Sequence, residues 1–227
     1  MSVPAKAARE EQDRAEADRL QKVWWRNVLL VLRDPKPVFR AMRDDSRPAA
    51  EARSEPSLAI LLLAGIASVL SFSATSREFL DEPGVDAALV PVLAFLGGAV
   101  YGIAGYWLGG LALHLGVRGA KGEGTYRQAR HVLAYALVPL ALSLVVVWPL
   151  QAGIFGSDAF RSGGSDEGTG YWAFTTVSFV FLVWSLVLLV VGVRELHSWT
   201  TVRSLGALLL TGMALLAIAL LGFVVSA

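Results

Sequence analysis

The stretch GEGTYRQARHVLAYALVP, from Gly122 to Pro139, begins with charged side chains and ends as an apolar run. Gln128 stands three residues after Thr125, which is the spacing of a capping box. We therefore expect a helix to begin here. Two arginines lie in its first turns, and the apolar run begins near Val132. A helix that leaves water, passes the headgroups and enters hydrocarbon has this composition. The stretch therefore predicts a membrane-spanning helix.

The composition of the whole chain is typical of a membrane protein. Of its 227 residues, 55% are hydrophobic and only 17% are charged, compared with about 25% charged in soluble domains. Of the 39 charged residues, 22 precede residue 57, so the rest of the chain is apolar in long runs. The net charge of +1 predicts no nucleic-acid partner, and without cysteine there is neither disulfide nor thiol chemistry. The charged start does not have the pattern of a cleavable signal peptide.

Five apolar segments are each long enough to cross a bilayer as a helix, which takes about 20 residues. None of them holds Asp, Glu, Lys or Arg in its interior, and none alternates in polarity as the strands of a transmembrane barrel do. The sequence therefore predicts an all-α, polytopic integral membrane protein with one transmembrane domain over residues 57–227. The spans are expected at residues 57–74, 88–117, 132–154, 172–193 and 205–227.

The lysines and arginines are distributed unevenly over the segments that connect these spans. Twelve precede the first span, and the four connections that follow hold one, four, one and two. Alternation of this kind is what the positive-inside rule requires. We therefore expect the amino terminus to be cytoplasmic and the carboxyl terminus to lie outside.

The part of the chain before the first span divides into two. Residues 1–19 mix alanine with charges of both signs and are expected to form a flexible cytoplasmic tail. Residues 20–56 are expected to form an interfacial segment that starts with an amphipathic helix, LQKVWWRNVLLVL, and is interrupted by a proline-containing break, DPKP. The helix is too short to span, so we expect Trp24 and Trp25 to anchor it at the headgroup level. The alternative is that it packs against the cytoplasmic ends of the bundle.

Small residues line one face of the second predicted span and include Gly98, Gly102, Gly105 and Gly109. Such a face lets two helix backbones approach closely in a membrane. Two interpretations fit the pattern: packing within the bundle, and association of two copies of the chain into a homo-oligomer.

Pro139 lies inside the third predicted span. It has no N–H to donate to the carbonyl of Tyr135, so we expect the helix to bend there.

No motif in the sequence predicts catalysis or cofactor binding. Charged side chains inside spans mark ion and proton pathways, and the interiors of these spans offer hydroxyl groups instead. The three histidines, His114, His131 and His197, are expected near the cytoplasmic face, without a metal-ligand spacing such as HExxH. We therefore predict a protein that is not an enzyme, with no cofactor and no metal.

Three stretches occur in a characteristic order along the chain. They are DPKPVFRAM before the first span, KGEGTYRQARHVLAYALVPLAL at the third, and VWSLVLLVVGVRELHSWTTVRSLGALL at the junction of the fourth and fifth. In this order the chain, from Trp24 to Ala227, resembles the Yip domain family, named for Ypt/Rab-interacting proteins, in its bacterial form. It lacks the Asp-Leu-Tyr-Gly-Pro motif of eukaryotic members and has Ala134-Tyr135 where they have a Gly-Tyr pair.

The resemblance implies a five-span membrane protein with a cytoplasmic amino terminus. Its eukaryotic relatives act in vesicle traffic and membrane shaping through partners, but the two departures mean that Rab binding is not carried over to this chain. The bacterial form of the pattern implies the plasma (inner) membrane of a bacterium. An endomembrane is the alternative if the protein is eukaryotic.

These observations predict a membrane-organising or scaffold protein that lies in the lipid bilayer and acts through protein or lipid partners. Other functions remain as alternatives: a transporter or channel component for a neutral or lipidic solute, an accessory subunit of a membrane complex, and a membrane enzyme that uses cytoplasmic His and Glu residues. A hydrated cavity at midplane depth favours transport, whereas a tightly packed bundle favours a scaffold. The candidate surface for protein partners on the cytoplasmic face consists of Arg127, Arg130, Arg194, Glu195 and His197, with headgroup anchoring as the alternative role of the arginines.

Overall fold

The computed structural model describes residues 19–72, 78–81 and 84–226, with only the helical backbone given for residues 222–226. The described part is almost entirely helical and contains no strand, which confirms the all-α prediction. The predicted tail, apart from residue 19, lies outside the described residues. The helices are α1 (19–33), α2 (Pro35–Ala41), α3 (Arg47–Phe72), α4 (Val90–Ala104), α5 (Gly110–Gly119), α6 (Tyr126–Ala136), α7 (Val138–Phe155), α8 (Thr169–His197) and α9 (Thr201–Ser226).

Five helical stretches are long and apolar enough to cross a membrane, which confirms the five-span prediction. The helices extend beyond the predicted spans, since the sequence pattern marks only the apolar part. The largest difference is in α3, which begins at Arg47 rather than near Ser57, and the predicted end of this span at residue 74 lies outside the described residues. The stretches cover Arg47–Phe72, Ala87–Gly119, Tyr126–Phe160, Thr169–His197 and Thr201–Leu221.

The connections between the spans gather at two opposite ends of the bundle. At one end, called here the α1/α2 end, Gln128 donates its amide N–H to the carbonyl of Met42 at 3.2 Å, and Arg203 donates Nη2–H to that of Ala120 at 2.9 Å. At the other end, the backbone N–H of Leu80 donates to the carbonyl of Phe160 at 3.1 Å. A chain that crosses a membrane five times must place successive connections at opposite ends of the bundle, and the connections lie in this way.

The third span is the centre of the bundle, because α6 and α7 together contact α3, α5 and α8. Its start confirms the capping box, since Thr125 and Gln128 each accept the other's backbone N–H through their side chains. The helix is interrupted at Leu137, and Pro139 occupies the first turn of α7, where its missing N–H needs no partner. The break exposes the N–H of Leu140, which donates to the buried hydroxyl oxygen of Ser185 in α8 at 3.2 Å.

The glycine face of the second span packs against helices of the same chain. A Cβ at Gly98 would lie 2.6 Å from the Cα of Ile66 in α3, and one at Gly102 would lie 2.8 Å from the carbonyl oxygen of Leu61. Gly105 and Gly109 belong to a π-helical segment between α4 and α5. The glycines therefore let α3 approach the second span closely, and this part of the face is covered within one copy of the chain.

Candidate functional site

A fully buried arginine lies at the α1/α2 end, where α3 passes α6. Arg53 has no exposed surface, and its Nε donates to Nδ1 of His131 at 3.2 Å. Its guanidinium carbon lies 5.0 Å from the centre of the Trp24 ring, and its Nη2 lies 3.7 Å from Oδ1 of Asp45. Neither Nη1 nor Nη2 of Arg53 has a hydrogen-bond partner. Because a buried cation with incomplete partners is costly, charged groups of this kind in membrane proteins usually mark a functional site.

Tyr135 completes this group and attaches α1 to the bundle. Its hydroxyl donates to the backbone carbonyl of Trp24 at 3.0 Å, and the two rings meet edge to face with their centres 5.6 Å apart. Both side chains are buried, Trp24 at 5% exposure. We call Trp24, Asp45, Arg53, His131 and Tyr135 the Arg53 cluster.

The side chain of Trp24 is therefore buried inside the bundle, and its place at the headgroup level stays a prediction. Its ring finds Tyr135 and Arg53 as partners there, in agreement with the alternative in which α1 packs on the bundle end. Trp25 is on the other side of α1 and is 41% exposed. The anchoring role remains a prediction for Trp25.

Asp45, in the short connection between α2 and α3, links the Arg53 cluster to the start of α6. Its Oδ1 accepts from Nε of Arg127 at 2.9 Å, and its Oδ2 accepts from the hydroxyl of Thr125 at 2.8 Å. Partial burial raises the pKa of Asp45, but the hydrogen bonds from Arg127 and Thr125 outweigh it, so the pKa lies below its ordinary value. The carboxylate therefore stays charged and holds Arg127 in place.

A second ionic group fixes α2 to the end of α8. Glu195 is buried and accepts from Nε of Arg40 at 2.6 Å and from Nη2 of Arg194 at 2.7 Å. Arg43 donates to the backbone carbonyl of Glu195 as well. On the apolar side of α2, Phe39 is buried against Gly192, where a Cβ would lie 3.0 Å from its ring.

Arg130 points away from both ionic groups, toward the second span. Its guanidinium carbon lies 4.5–4.7 Å from the ring centres of Tyr106, Trp107 and Tyr126. Among the described residues no carboxylate lies within 4 Å of it, and its buried Nε has no hydrogen-bond partner. Gly110 makes room for it, because a Cβ there would collide with the Arg130 side chain.

His197 lies beside Trp199, with the two ring centres 4.7 Å apart. Arg203 covers the Trp199 ring at 4.0 Å and donates from Nε and Nη2 to the carbonyls of Ala120 and Lys121. His114 and His197 line one small cavity, whereas His131 lies in the Arg53 cluster. In the part of the chain that the structure describes, no three His, Cys, Asp or Glu side chains come together as metal ligands.

All five residues of the predicted partner surface lie at the α1/α2 end, but none is a freely solvated side chain. Arg127 is held by Asp45, Arg194 and Glu195 pair with each other, Arg130 is ringed by aromatic residues, and His197 stacks on Trp199. They belong to four separate groups rather than to one patch.

Sequence reasoning did not identify Arg53 and Asp45. Both lie in a charged stretch that is typical of a solvated segment. One signal was present: Arg53 is surrounded by small residues, Ala49, Ala50 and Ala52, which are buried in the structure and make a close helix contact.

Comparison with known families decides the relationship of this chain. A model of the Yip1 domain matches residues 29–225. The chain belongs to the Yip1 domain family. No curated protein and no solved structure matches it. The Yip1 domain thus runs from the last five residues of α1 to the end of α9 and includes all five spans. The Arg53 cluster joins the domain to Trp24, which precedes the matched region.

Proposed function

We propose that this Yip1 family protein is a non-enzymatic membrane-organising or scaffold protein that acts through lipid or protein partners. The observation that carries the proposal is the two-sided character of α1. One side is locked to the bundle by Trp24 and Val31, both buried. The other side exposes three basic residues, Lys22, Arg26 and Arg33, and four large apolar ones, Val23, Trp25, Leu29 and Leu30.

A helix that exposes basic and large apolar side chains together is suited to the bilayer surface. The cations attract anionic headgroups, and the apolar side chains insert at the boundary with the acyl chains. Because Tyr135 and Arg53 fix α1 to the spans, the helix would displace lipid at a constant position beside the bundle. This supports an effect on membrane shape or on the neighbours of the bundle.

The packing of the third span supports a scaffold over a transport component. Val132, Tyr135, Ala136 and Leu140 are all less than 5% exposed and belong to one core cluster. For a solute to pass along this helix, these side chains would have to move apart.

The proposed setting is the plasma membrane of a bacterium, or an endomembrane if the protein is eukaryotic, with the α1/α2 end in the cytoplasm. The series of lysines and arginines supports this orientation. Reporter proteins fused to the two termini test it, with activity expected on opposite sides of the membrane. Activity of both reporters in the same compartment would contradict it.

The function itself is tested by sorting between membranes of different curvature. The labelled protein is reconstituted into tethered vesicles of phosphatidylcholine and phosphatidylglycerol with a range of diameters. We expect a higher surface density on small vesicles, and we expect the double variant Leu29→Glu/Leu30→Glu to lose this preference while remaining inserted. The matched control, Gln21→Glu/Asn27→Glu, adds the same charge to half-buried polar positions of α1 and should behave as the wild type.

Two results would contradict the proposal. One is a uniform density of the wild-type protein over all vesicle sizes. The other is an equal loss of preference in both double variants, since added charge alone would then explain the effect.

A further inference from the structure

A groove of about 280 Å³ runs between the first and second spans. It is lined by apolar side chains of α3 and α4, with Tyr106 and Trp107 at the end nearer to α6. From Phe95 to Trp107 the second span rises about 18 Å, which is more than half the thickness of a bilayer core. The residues that line it are Leu58, Leu61, Leu62, Phe95, Ala99, Gly102, Ile103, Tyr106 and Trp107.

The groove opens sideways and its wall is exposed on the outside of the bundle. Phe95, Ile103 and Trp107 are each more than half exposed, and the residues that face the groove from α3 are leucines. In a membrane this surface is in contact with acyl chains rather than with water. Its form and chemistry suit a long apolar chain.

One cation lies at the aromatic end of the groove. Arg130 contacts the two aromatic residues of the groove, Tyr106 and Trp107, through the faces of their rings. Cation–π contacts use the face of a guanidinium, whereas the N–H groups around its edge bind oxygen atoms, often two at a time. No acceptor among the described residues takes these N–H groups, and the buried Nε is without a partner.

The aromatic residues around Arg130 belong to a π-helical turn and to the start of α6. Tyr106 is the buried residue of the π-helical turn at Gly105–Gly109, and the carbonyl of Trp107 accepts from the hydroxyl of Tyr126 at 2.7 Å. The three rings around Arg130 are therefore held by the fold. Since π-helical turns are rare and are frequently found at functional sites, the segment is a second sign of a binding site.

We infer that Arg130 and this groove bind one anionic glycerophospholipid, with its phosphate on the edge of the guanidinium and an acyl chain in the groove. Charge complementarity decides the occupant: a cation without an acidic partner lies where a helix passes from the headgroups into the hydrocarbon, above a wall of apolar side chains. The inference deepens the proposed function by naming a lipid class. It concerns a different surface from α1, so either can fail alone.

Native mass spectrometry of the delipidated protein tests the inference, with phosphatidylglycerol and phosphatidylcholine of equal chain length added separately. We expect the wild-type protein to bind the first more tightly, and Arg130→Gln to weaken that binding about tenfold, as for one charge-assisted hydrogen-bonding pair. Ala99→Phe fills the groove without changing a charge, and it should weaken the binding of both lipids. Inorganic phosphate should not compete, because it has no acyl chain.

Arg203 supplies the matched control. It also lies over an aromatic ring at the same end of the bundle, but its Nε and Nη2 already donate to the carbonyls of Ala120 and Lys121. Arg203→Gln should therefore leave the binding of phosphatidylglycerol unchanged. Equal losses in Arg130→Gln and Arg203→Gln, equal binding of the two lipids, or competition by inorganic phosphate would each overturn the inference. Should Arg130→Gln fail to fold, full binding by a folded Ala99→Phe variant would overturn it as well.

Discussion

Single side chains decide how α1 is attached to the spans. Tyr135 donates to the carbonyl of Trp24, and Arg53 lies against the ring of the same residue. These contacts join segments that are far apart in the chain. The hydroxyl of Tyr135 and the carbonyl of Trp24 satisfy each other, whereas Nη1 and Nη2 of Arg53 have no hydrogen-bond partner.

Replacing Tyr135 by phenylalanine should remove the hydrogen bond to Trp24 and leave its buried carbonyl without this donor. We expect a loss of about 1 kcal/mol in the free energy of unfolding, measured by titration with SDS in mixed micelles. Tyr101→Phe, at a residue that is 59% exposed, is the matched control, with an expected change below about 0.5 kcal/mol. Equal effects of the two variants would refute the role of the Tyr135 hydroxyl.

Asp45 should make the stability depend on pH. Because its pKa is lowered in the folded state, its contribution is complete above the ordinary value of 3.8 and is lost as the pH falls through the lowered folded value. Asp45→Asn should be less stable than the wild type by about 1–3 kcal/mol at neutral pH. Melting temperatures of both proteins, compared from neutral pH downward, should converge only in the acid range. A constant difference down to the lowest pH would contradict the assignment.

At the scale of the elements, the helices contact one another through small residues and paired charges. Some of this could be predicted from sequence. The apolar lengths and the lysine and arginine series predicted the five spans, and Thr125 with Gln128 predicted the start of α6. The glycine spacing predicted close contact, but not its partner, because spacing defines a face and not the helix opposite.

Other elements could not be predicted, for physical reasons. The sequence predicted a bend of the third span at Pro139, but not the break at Leu137 or the hydrogen bond from Leu140 to Ser185 of a distant helix. The π-helical turn differs from an α-helix by one residue and leaves no periodic signal. The burial of Arg53 depends on His131 and Trp24, which are remote in sequence.

Replacing a glycine by alanine should have opposite effects at Gly98, which lies in the contact of α3 with the second span, and at Gly153, which lies outside it. Gly98→Ala puts a Cβ 2.6 Å from the Cα of Ile66, so the helices must separate, and we expect a loss of about 1–3 kcal/mol. Gly153→Ala meets no atom within 4 Å in helix α7, and we expect a gain of up to about 1 kcal/mol. Unfolding in mixed micelles measures both. A neutral result for Gly98→Ala would show that this close contact does not form.

The attachment of α2 to α8 depends on Glu195. Glu195→Gln leaves Arg40 and Arg194 facing a neutral group, and because Arg40 is partly exposed we expect a loss of only about 1 kcal/mol. Glu51→Gln removes the exposed pair with Arg47 and should change stability by less than about 0.5 kcal/mol. Thermal unfolding of the two variants side by side makes the comparison. A larger loss of stability in Glu51→Gln than in Glu195→Gln would contradict the role of Glu195 in attaching α2 to α8.

At the scale of the whole molecule, the Yip1 domain is a five-span bundle with a short amphipathic helix held across one end. The sequence predicted the membrane class and the number of spans because hydrophobic length is a local property. It left two positions open for α1, at the interface or on the bundle end. The structure places α1 on the bundle end, with Trp24 buried, while Leu29 on the outer side is 71% exposed. Contact of this outer side with the bilayer surface stays a prediction.

The depth of Leu29 in the bilayer is the most direct test of this arrangement. The chain has no cysteine, so Leu29→Cys carries a single spin label, and Glu123→Cys, in the exposed connection after α5, serves as the control in water. In vesicles containing phosphatidylglycerol, electron paramagnetic resonance should show the Leu29 label accessible to oxygen and shielded from a soluble nickel chelate, with the Glu123 label accessible to the chelate. A Leu29 label as accessible to the chelate as the control would contradict the account of α1 as a helix fixed between the bundle and the bilayer.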